Sequence, residues 1–365
     1  MRRRLPIILF AAALVVSVLG VTPLGQAAER AISTAPGPGS LDPTFGGGGW
    51  SSAGFPSSAA GVAVQPDGKI VVAGPTASHD FGVARITAAG VYDDSFGSGG
   101  QASVHFALGA ADARALALQP DGKIVVAGEY VDNETHERHL AVARVNPDGS
   151  LDTTFGSGGK ALPPLRGWTA SGAYAVAVEA DGKIVAGGYV FDPDTGTTQF
   201  VVARLTSSGQ LDTSFGGLGW SSAGFPAEVL SLAIQPDGKI VIAGNTAQDE
   251  FAVARITADG VYDDSFGSGG QVTVRFPGNQ GDAAFPHSLA LQNNGKIVVA
   301  GTTYANNVSQ QADVTRLNPD GSLDSTFGQN GLYWYNLGAG DDAASVAVSG
   351  DGEIIVGGTT NNAGD

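Results

Sequence analysis

The 365-residue chain has no cysteine and one methionine, so disulfides and thiolate metal sites are excluded from any account of it. Basic residues are scarce as well, 19 against 35 acidic, for a net charge of −16. No lysine or arginine cluster interrupts that imbalance, which argues against nucleic acid and against an anionic membrane surface as partners. Long apolar runs are missing beyond the first 21 residues, so no later segment reads as a membrane span. Glycine, by contrast, is abundant at 55 residues, alongside 42% hydrophobic residues. That combination points to apolar strands joined by many tight turns, with core material to spare.

Residues 1–27 have the layout of a secretory signal peptide. Arg2 to Arg4 form a positive start, Pro6 to Val21 an apolar stretch, and Gly25-Gln26-Ala27 offers small residues before a cut after Ala27. A stop-transfer anchor is the rival reading of the same stretch. Removal leaves 16 basic against 35 acidic residues, a net charge of −19. Residues 28–40 follow as a Pro/Gly linker, and 41–365 form one domain of repeats.

The repeat is explicit. An L-D-x-x-F-G pattern places Phe45, Phe96, Phe155, Phe215, Phe266 and Phe327 at spacings of 51, 59, 60, 51 and 61 residues. The first three units match the next three at an offset of 170 to 172, as in WSSAGFP at Trp50 and again at Trp220. Periods of this length mark solenoids, propellers or arrays.

Each unit holds four strand-like segments. Strand a alternates, with Val62, Leu116, Val176, Leu232, Leu289 and Val346 on one face and six alanines on the other, which suggests a crowded inner contact. An Asp-Gly pair then predicts a two-residue hairpin with positive φ at both central positions, replaced by Asn294-Gly295 in the fifth unit. Strand b, KIVVAG at Lys69 and its copies, is apolar throughout and suits burial on both faces. Strand c ends at Arg85, Arg144, Arg204, Arg255 and Arg316, and a short strand d follows F-G-x-x-G. The expected fold is all-β: a six-bladed β-propeller of four-stranded antiparallel blades, with seven blades or an open, clipped ring as alternatives. The sixth unit stops after strand b. Either residues 32–35 supply its strand c and residues 50–55 its strand d, or the chain is clipped.

The L-D-x-x-F-G start, the Q-P-D-G-K-I-V-V-A-G hairpin and the F-A-V-A-R-x-x-x-D-G strand together resemble the delta-60 repeat family of bacterial β-propeller repeats. The a–b hairpin is more distantly similar to NHL repeats. The resemblance spans Ser40 to Gly358 and implies a secreted bacterial propeller, with no catalytic residues to carry over. Departures are Asn293-Asn294, Glu179-Ala180 in place of Gln-Pro, and the absent last strand c.

An active site is built once, whereas the Asp of L-D-x-x-F-G and the strand-c arginine recur. Asp42, Asp93, Asp152, Asp212, Asp263 and Asp324 are therefore expected to cap turns and pair with those arginines. The Asn146–Asp152 run and its copy at 318–324 space oxygens as calcium loops do, but with glycine at the fourth position they read as turns. No cofactor is expected, calcium being the only candidate, and no metal or catalytic set is assigned.

The variation lies in the d–a and b–c connections, which leave one end of a propeller, while the a–b and c–d turns at the other end hardly vary. Candidate ligand-binding residues on that variable end are Tyr130, His136 and His139 in unit two; Trp168, Tyr174, Phe191, Asp192 and Asp194 around unit three; and His287 and Tyr304 in unit five, with Asn279, Phe285, Asn306, Asn307, Asp341 and Asp342 nearby. Three functions fit: an exported, non-catalytic, monomeric propeller binding a protein or glycan; a secreted hydrolase or lyase on polysaccharide using Asp132, His136, Asp192 or His287; and a structural cell-surface module.

Overall fold

The computed structural model describes residues 41–51, 59–107, 109–222, 228–246, 250–277, 284–305, 309–335 and 340–359. The leader at 1–27, the linker at 28–40, and Asn279, Asn306 and Asn307 lie outside them. No helix is present among the described residues. Unit one is β1 (Gly61–Val64), β2 (Ile70–Pro75), β3 (Phe81–Ile86) and β4 (Gln101–Val104). Unit two is β5 (Gly109–Leu118), β6 (Ile124–Asp132), β7 (Arg138–Val145) and β8 (Lys160–Ala161). Unit three is β9 (Ala170–Val178), β10 (Ile184–Asp192), β11 (Thr197–Leu205) and β12 (Trp220–Ser221). Unit four is β13 (Val229–Ile234), β14 (Ile240–Asn245), β15 (Phe251–Ile256) and β16 (Gln271–Val274). Unit five is β17 (Ala284–Leu291), β18 (Ile297–Ala305), β19 (Ser309–Leu317) and β20 (Leu332–Tyr335). The sixth unit has β21 (Asp342–Val348) and β22 (Ile354–Thr359). Strands pair antiparallel in chain order within each unit, and one parallel bridge, Arg138 to Ala170, ties unit two to unit three.

The sheets stack face to face, and strand b is the reason they can. Ile124 and Val126 of β6 pack toward unit one with Phe81, Phe96 and Phe106, while Val125 and Ala127 pack toward unit three with Ala186 and Val201. All four β6 side chains are fully buried. A strand apolar on both faces is what a middle layer requires.

Two local expectations need revising. The a–b hairpin is a three-residue loop: Gln65 N donates to Lys69 O at 2.7 Å, and Gly68 closes it at φ +83° while Asp67 is not left-handed. Pro66 starts a type I turn, and Asp67 Oδ1 accepts Lys69 N at 3.1 Å, which fixes the bend. The inner-strand alanines, in turn, are half-buried rather than crowded. The close approach occurs instead at a β-bulge.

In strand a of units two to six the register slips by one residue, so that Arg114, Tyr174, Leu230, His287 and Ala344 have no cross-strand partner. Each bulge drives a carbonyl into the backbone of strand b. A Cβ on Gly128, Gly188, Gly244, Gly301 or Gly358 would sit 1.7–2.1 Å from the carbonyl oxygen of Asp112, Gly172, Glu228, Phe285 or Asp342. Only glycine fits there, which explains the G of V-V-A-G. Gly188→Ala should therefore destabilise the fold by about 2–4 kcal/mol in denaturant unfolding. Gly158→Ala, at φ +59° with nothing within 4 Å, should cost no more than about 1 kcal/mol. Equal losses would contradict the bulge argument.

Candidate functional site

The two ends of the repeats have different chemistry. At the a–b and c–d end, Arg85 Nε donates to Asp93 Oδ2 at 2.7 Å, and Arg144, Arg204, Arg255 and Arg316 repeat the bond to Asp152, Asp212, Asp263 and Asp324 at 2.6–2.9 Å. Each guanidinium lies 4.7 Å over the phenylalanine of its own L-D-x-x-F-G turn. Nη1 of Arg85, Arg144, Arg204 and Arg255 reaches into the next unit, to the carbonyls of Pro147, Ser207, Ala258 and Pro319 at 2.5–2.6 Å. The hairpin lysines, Lys69 to Lys296, add a second cation to each carboxylate at 2.7–3.3 Å. At Asp212 burial pushes upward, yet the Ser214 hydrogen bonds, Lys183 and the Arg204 charge hold the carboxyl down to about 2. These groups satisfy one another and join neighbouring units, as expected for structural pairs. The Asn146–Asp152 run is likewise a closed turn, with Asp148 Oδ1 accepting Ser150 N at 2.9 Å and Ser150 Oγ at 2.6 Å.

The d–a and b–c end holds the open space. A cavity of about 460 Å3 is lined by Ala60, Pro75, Asp112, Ala113, Arg114, Tyr174, Leu230, His287, Asp342 and Ala344, so all six units contribute to it. Five of these are the bulged residues, and Ala60 holds the equivalent place before β1. The bulge thus turns one side chain per unit out of the sheet pattern and into a common space. The Arg114 guanidinium stacks 5.0 Å from the Tyr174 ring, and its Nε has no hydrogen-bond partner among the described residues. Glu228 faces this pair; burial raises its carboxyl while the Arg114 charge and a Tyr174 hydrogen bond oppose the rise. Burial and then the Glu228 charge push the Tyr174 phenol up. Across the cavity His287 Nε2 lies 3.4 Å from Asp342 Oδ1, which Thr302 Oγ1 also meets, and His79 Nδ1 lies 3.3 Å from Asp112 Oδ1.

A second cavity of about 410 Å3 opens between units two and three, bounded by Tyr130, Asp132, Arg138, His139, Leu165, Arg166 and Trp168. Tyr130 is anchored by its hydroxyl to Ala107 O at 3.0 Å and stacks on His139 at 6.0 Å, while Trp168 abuts Trp220 edge-on at 5.9 Å. The candidate residues therefore divide. Tyr174 and His287 line the shared cavity; Tyr130, His139 and Trp168 line the groove. Phe191, Asp192, Asp194, His136 and Tyr304 line neither cavity. His136 closes its loop at φ +60°, Asp192 Oδ1 caps its own turn through Asp194 N at 2.9 Å, and Tyr304 accepts Gln310 Nε2 at 2.6 Å. Asp132 and His136 close one loop, His136 N donating to Asp132 O at 2.8 Å, while Asp192 and His287 lie elsewhere, and no two of the four share either cavity. Arg114, Asp112 and Glu228 carry no motif and escape a reading of the sequence. Their signal is positional: Arg114 stands at the bulge just before an alternating inner strand, and Asp112 and Glu228 stand two residues before the bulge in their units. Among the described residues, no group of three or more His, Asp or Glu side chains is placed to hold a metal ion.

Five segments, residues 65–96, 119–155, 179–215, 235–266 and 292–327, match a family described as a domain of unknown function (DUF5122) beta-propeller. The chain is built from β-propeller repeats. Each matched segment runs from the a–b hairpin to the phenylalanine of the joint, Phe96 to Phe327. No curated protein matches the chain by sequence. Among solved structures the propeller repeats are similar to a glucose dehydrogenase, at 12% identity and a TM-score of 0.49 over 82% of this chain and 92% of that one. They are also similar to AofleA from Arthrobotrys oligospora, at 13% identity and a TM-score of 0.41 over 82% and 79% of the two chains. The GH43 endo-arabinanase from Bacillus licheniformis is similar at 11% identity and a TM-score of 0.40 over 84% and 99%.

One acid departs from the repeat pattern. Asp313 of β19 stands where the fourth unit has Ala252, fully buried, with Thr303 Oγ1 on Oδ2 and no partner on Oδ1 among the described residues. Burial raises its carboxyl to about 7, only partly opposed by Thr303. The folded state then holds this proton more tightly than the unfolded chain. Its stabilising effect is full below about pH 4 and is lost as pH rises through about 7, a change on the order of 4 kcal/mol. Melting temperature should therefore be higher at pH 5 than at pH 8, and Asp313→Asn should remove most of that difference. An identical pH dependence in both chains would contradict it.

Proposed function

We propose that the chain is an exported, non-catalytic β-propeller that binds a glycan or protein ligand at its variable-loop end. The observation carrying this reading is the shared cavity, which takes a side chain from every unit at a site where the bonds of the structural joints are absent. Concave sites of roughly 300–1,000 Å3 with a few converging polar groups are where ligands bind. The hydrolase reading finds less support, because its four named residues do not meet in either cavity. Export rests on the leader at 1–27, with the mature chain starting at Ala28.

We further propose a ring of six blades, with residues 32–35 and 50–55, most of which lie outside the described residues, as the completing strands of the sixth. Gly46 N donates to Ala89 O at 2.8 Å, the same inter-unit bond that Gly97 N makes to Asp148 O at 2.8 Å. The turn at 41–49 thus sits against unit one as the other turns sit against their next units. Val62 is 53% exposed on β1 and Ile355 47% on β22, whereas Val125 and Val185, the counterparts of Ile355, are fully buried. Apolar side chains are thus exposed at both ends of the series of units. Comparing residues 28–365 with 41–365, loss of the first thirteen residues should lower the melting temperature; an unchanged value would overturn closure by that segment.

Binding is tested by screening residues 28–365 against secreted proteins and glycans, with a polysaccharide panel assayed for turnover. The expected result is a ligand lost on Tyr174→Ala with no turnover. Hydrolysis of any polysaccharide would overturn the non-catalytic part, and binding indifferent to Tyr174 would overturn the site.

A further inference from the structure

We propose that the shared cavity is a sugar subsite, selective for a neutral, polyhydroxylated ring. The inference rests on the binding function above and adds the chemical class of its ligand. Three observations lead to it.

The two carboxylates that line the cavity, Asp112 and Asp342, and Glu228 behind Arg114 and Tyr174 already have protein partners. Asp112 meets His79, Asp342 meets Thr302 and His287, and Glu228 faces Arg114 and Tyr174. A carboxylate has about four lone-pair positions, so one or two contacts leave acceptor capacity without leaving an isolated charge to attract a cation. Arg114 is the reverse case. Its ring contact with Tyr174 orients the guanidinium and Glu228 lies within reach of its charge, but its Nε has no hydrogen-bond partner among the described residues, which leaves donor capacity for a ligand. An anion on Arg114 would confront Asp112, Glu228 and Asp342, and a cation on those acids would confront Arg114. A hydroxyl both donates and accepts, so a polyol can serve both sets at once.

The remaining lining is apolar. Ala60, Pro75, Leu230 and Ala344 present carbon to the same space. A pyranose combines a carbon–hydrogen face with a hydroxyl edge, which suits a wall of mixed character. The volume of about 460 Å3 admits such a ring with room for a linkage to solvent.

The test uses isothermal titration and saturation-transfer NMR on residues 28–365. The probes are neutral glucose, galactose and mannose trisaccharides, a galacturonate trimer and a glucosamine trimer. At least one neutral trisaccharide should bind, and Arg114→Ala should weaken it about tenfold or more, as expected for hydrogen bonds to a charged group. Leu230→Trp fills the cavity without removing a polar partner and should abolish binding, with its melting curve as the control for folding. Preference for the acidic or amino trimer, lost in the same variants, would overturn the sugar assignment while the binding function stands. Neutral binding that survives both variants would overturn the cavity as the subsite. Failure of every trimer to bind would overturn the subsite too, leaving the binding function to its protein screen.

Discussion

The arginine that ends strand c is the contact on which the rest of the molecule depends. It pairs with the carboxylate of its own turn, stacks on the phenylalanine beneath, and hydrogen-bonds a carbonyl of the next unit. An isolated buried ion pair contributes little net stability, since desolvation offsets attraction. Here the same guanidinium also fixes the spacing between sheets, and the hairpin lysine adds a second cation to the same oxygen. Repetition of this joint turns a series of marginal four-stranded sheets into one stack, in which each unit gains from its neighbour.

Because the joint occupies one end of every unit, the other end is free to differ. The bulge turns that freedom into a shared cavity. It removes Arg114, Tyr174, Leu230, His287 and Ala344 from the sheet's alternation and presents them to a single cavity. Glycine in strand b is the steric condition for the bulge, so the most repetitive part of the sequence is what permits the least repetitive side chains to converge. Scaffold and site are thereby separated within each unit, the usual arrangement where loops vary on a rigid frame.

Much of the fold was legible in the sequence. Period-two alternation, the Q-P-D-G-K hairpin and the doubly apolar strand b follow from local chemistry, and the recurring Asp and Arg declared themselves structural by being repeated. The loop type at Pro66-Asp67-Gly68 is not legible there, because a dipeptide signal does not count loop residues; the strand register does. The site was less legible. Tyr174 and His287 stand out in the sequence as aromatic or titratable residues near loops, yet their convergence with Arg114 depends on a one-residue register slip that no hydropathy pattern shows. Asp192 and His136 looked equally chemical in the sequence, but their polar atoms or backbone are engaged in closing their own turns.

The central claim is that one end of the repeats holds the structure together and the other receives the ligand. Hydrogen–deuterium exchange, with and without saturating neutral trisaccharide, tests it most directly. The account predicts slowed exchange in the inner strands around residues 112–115, 173–176 and 286–289, with the c–d turns at 93–97 and 212–216 unchanged. Protection confined to those turns would contradict it.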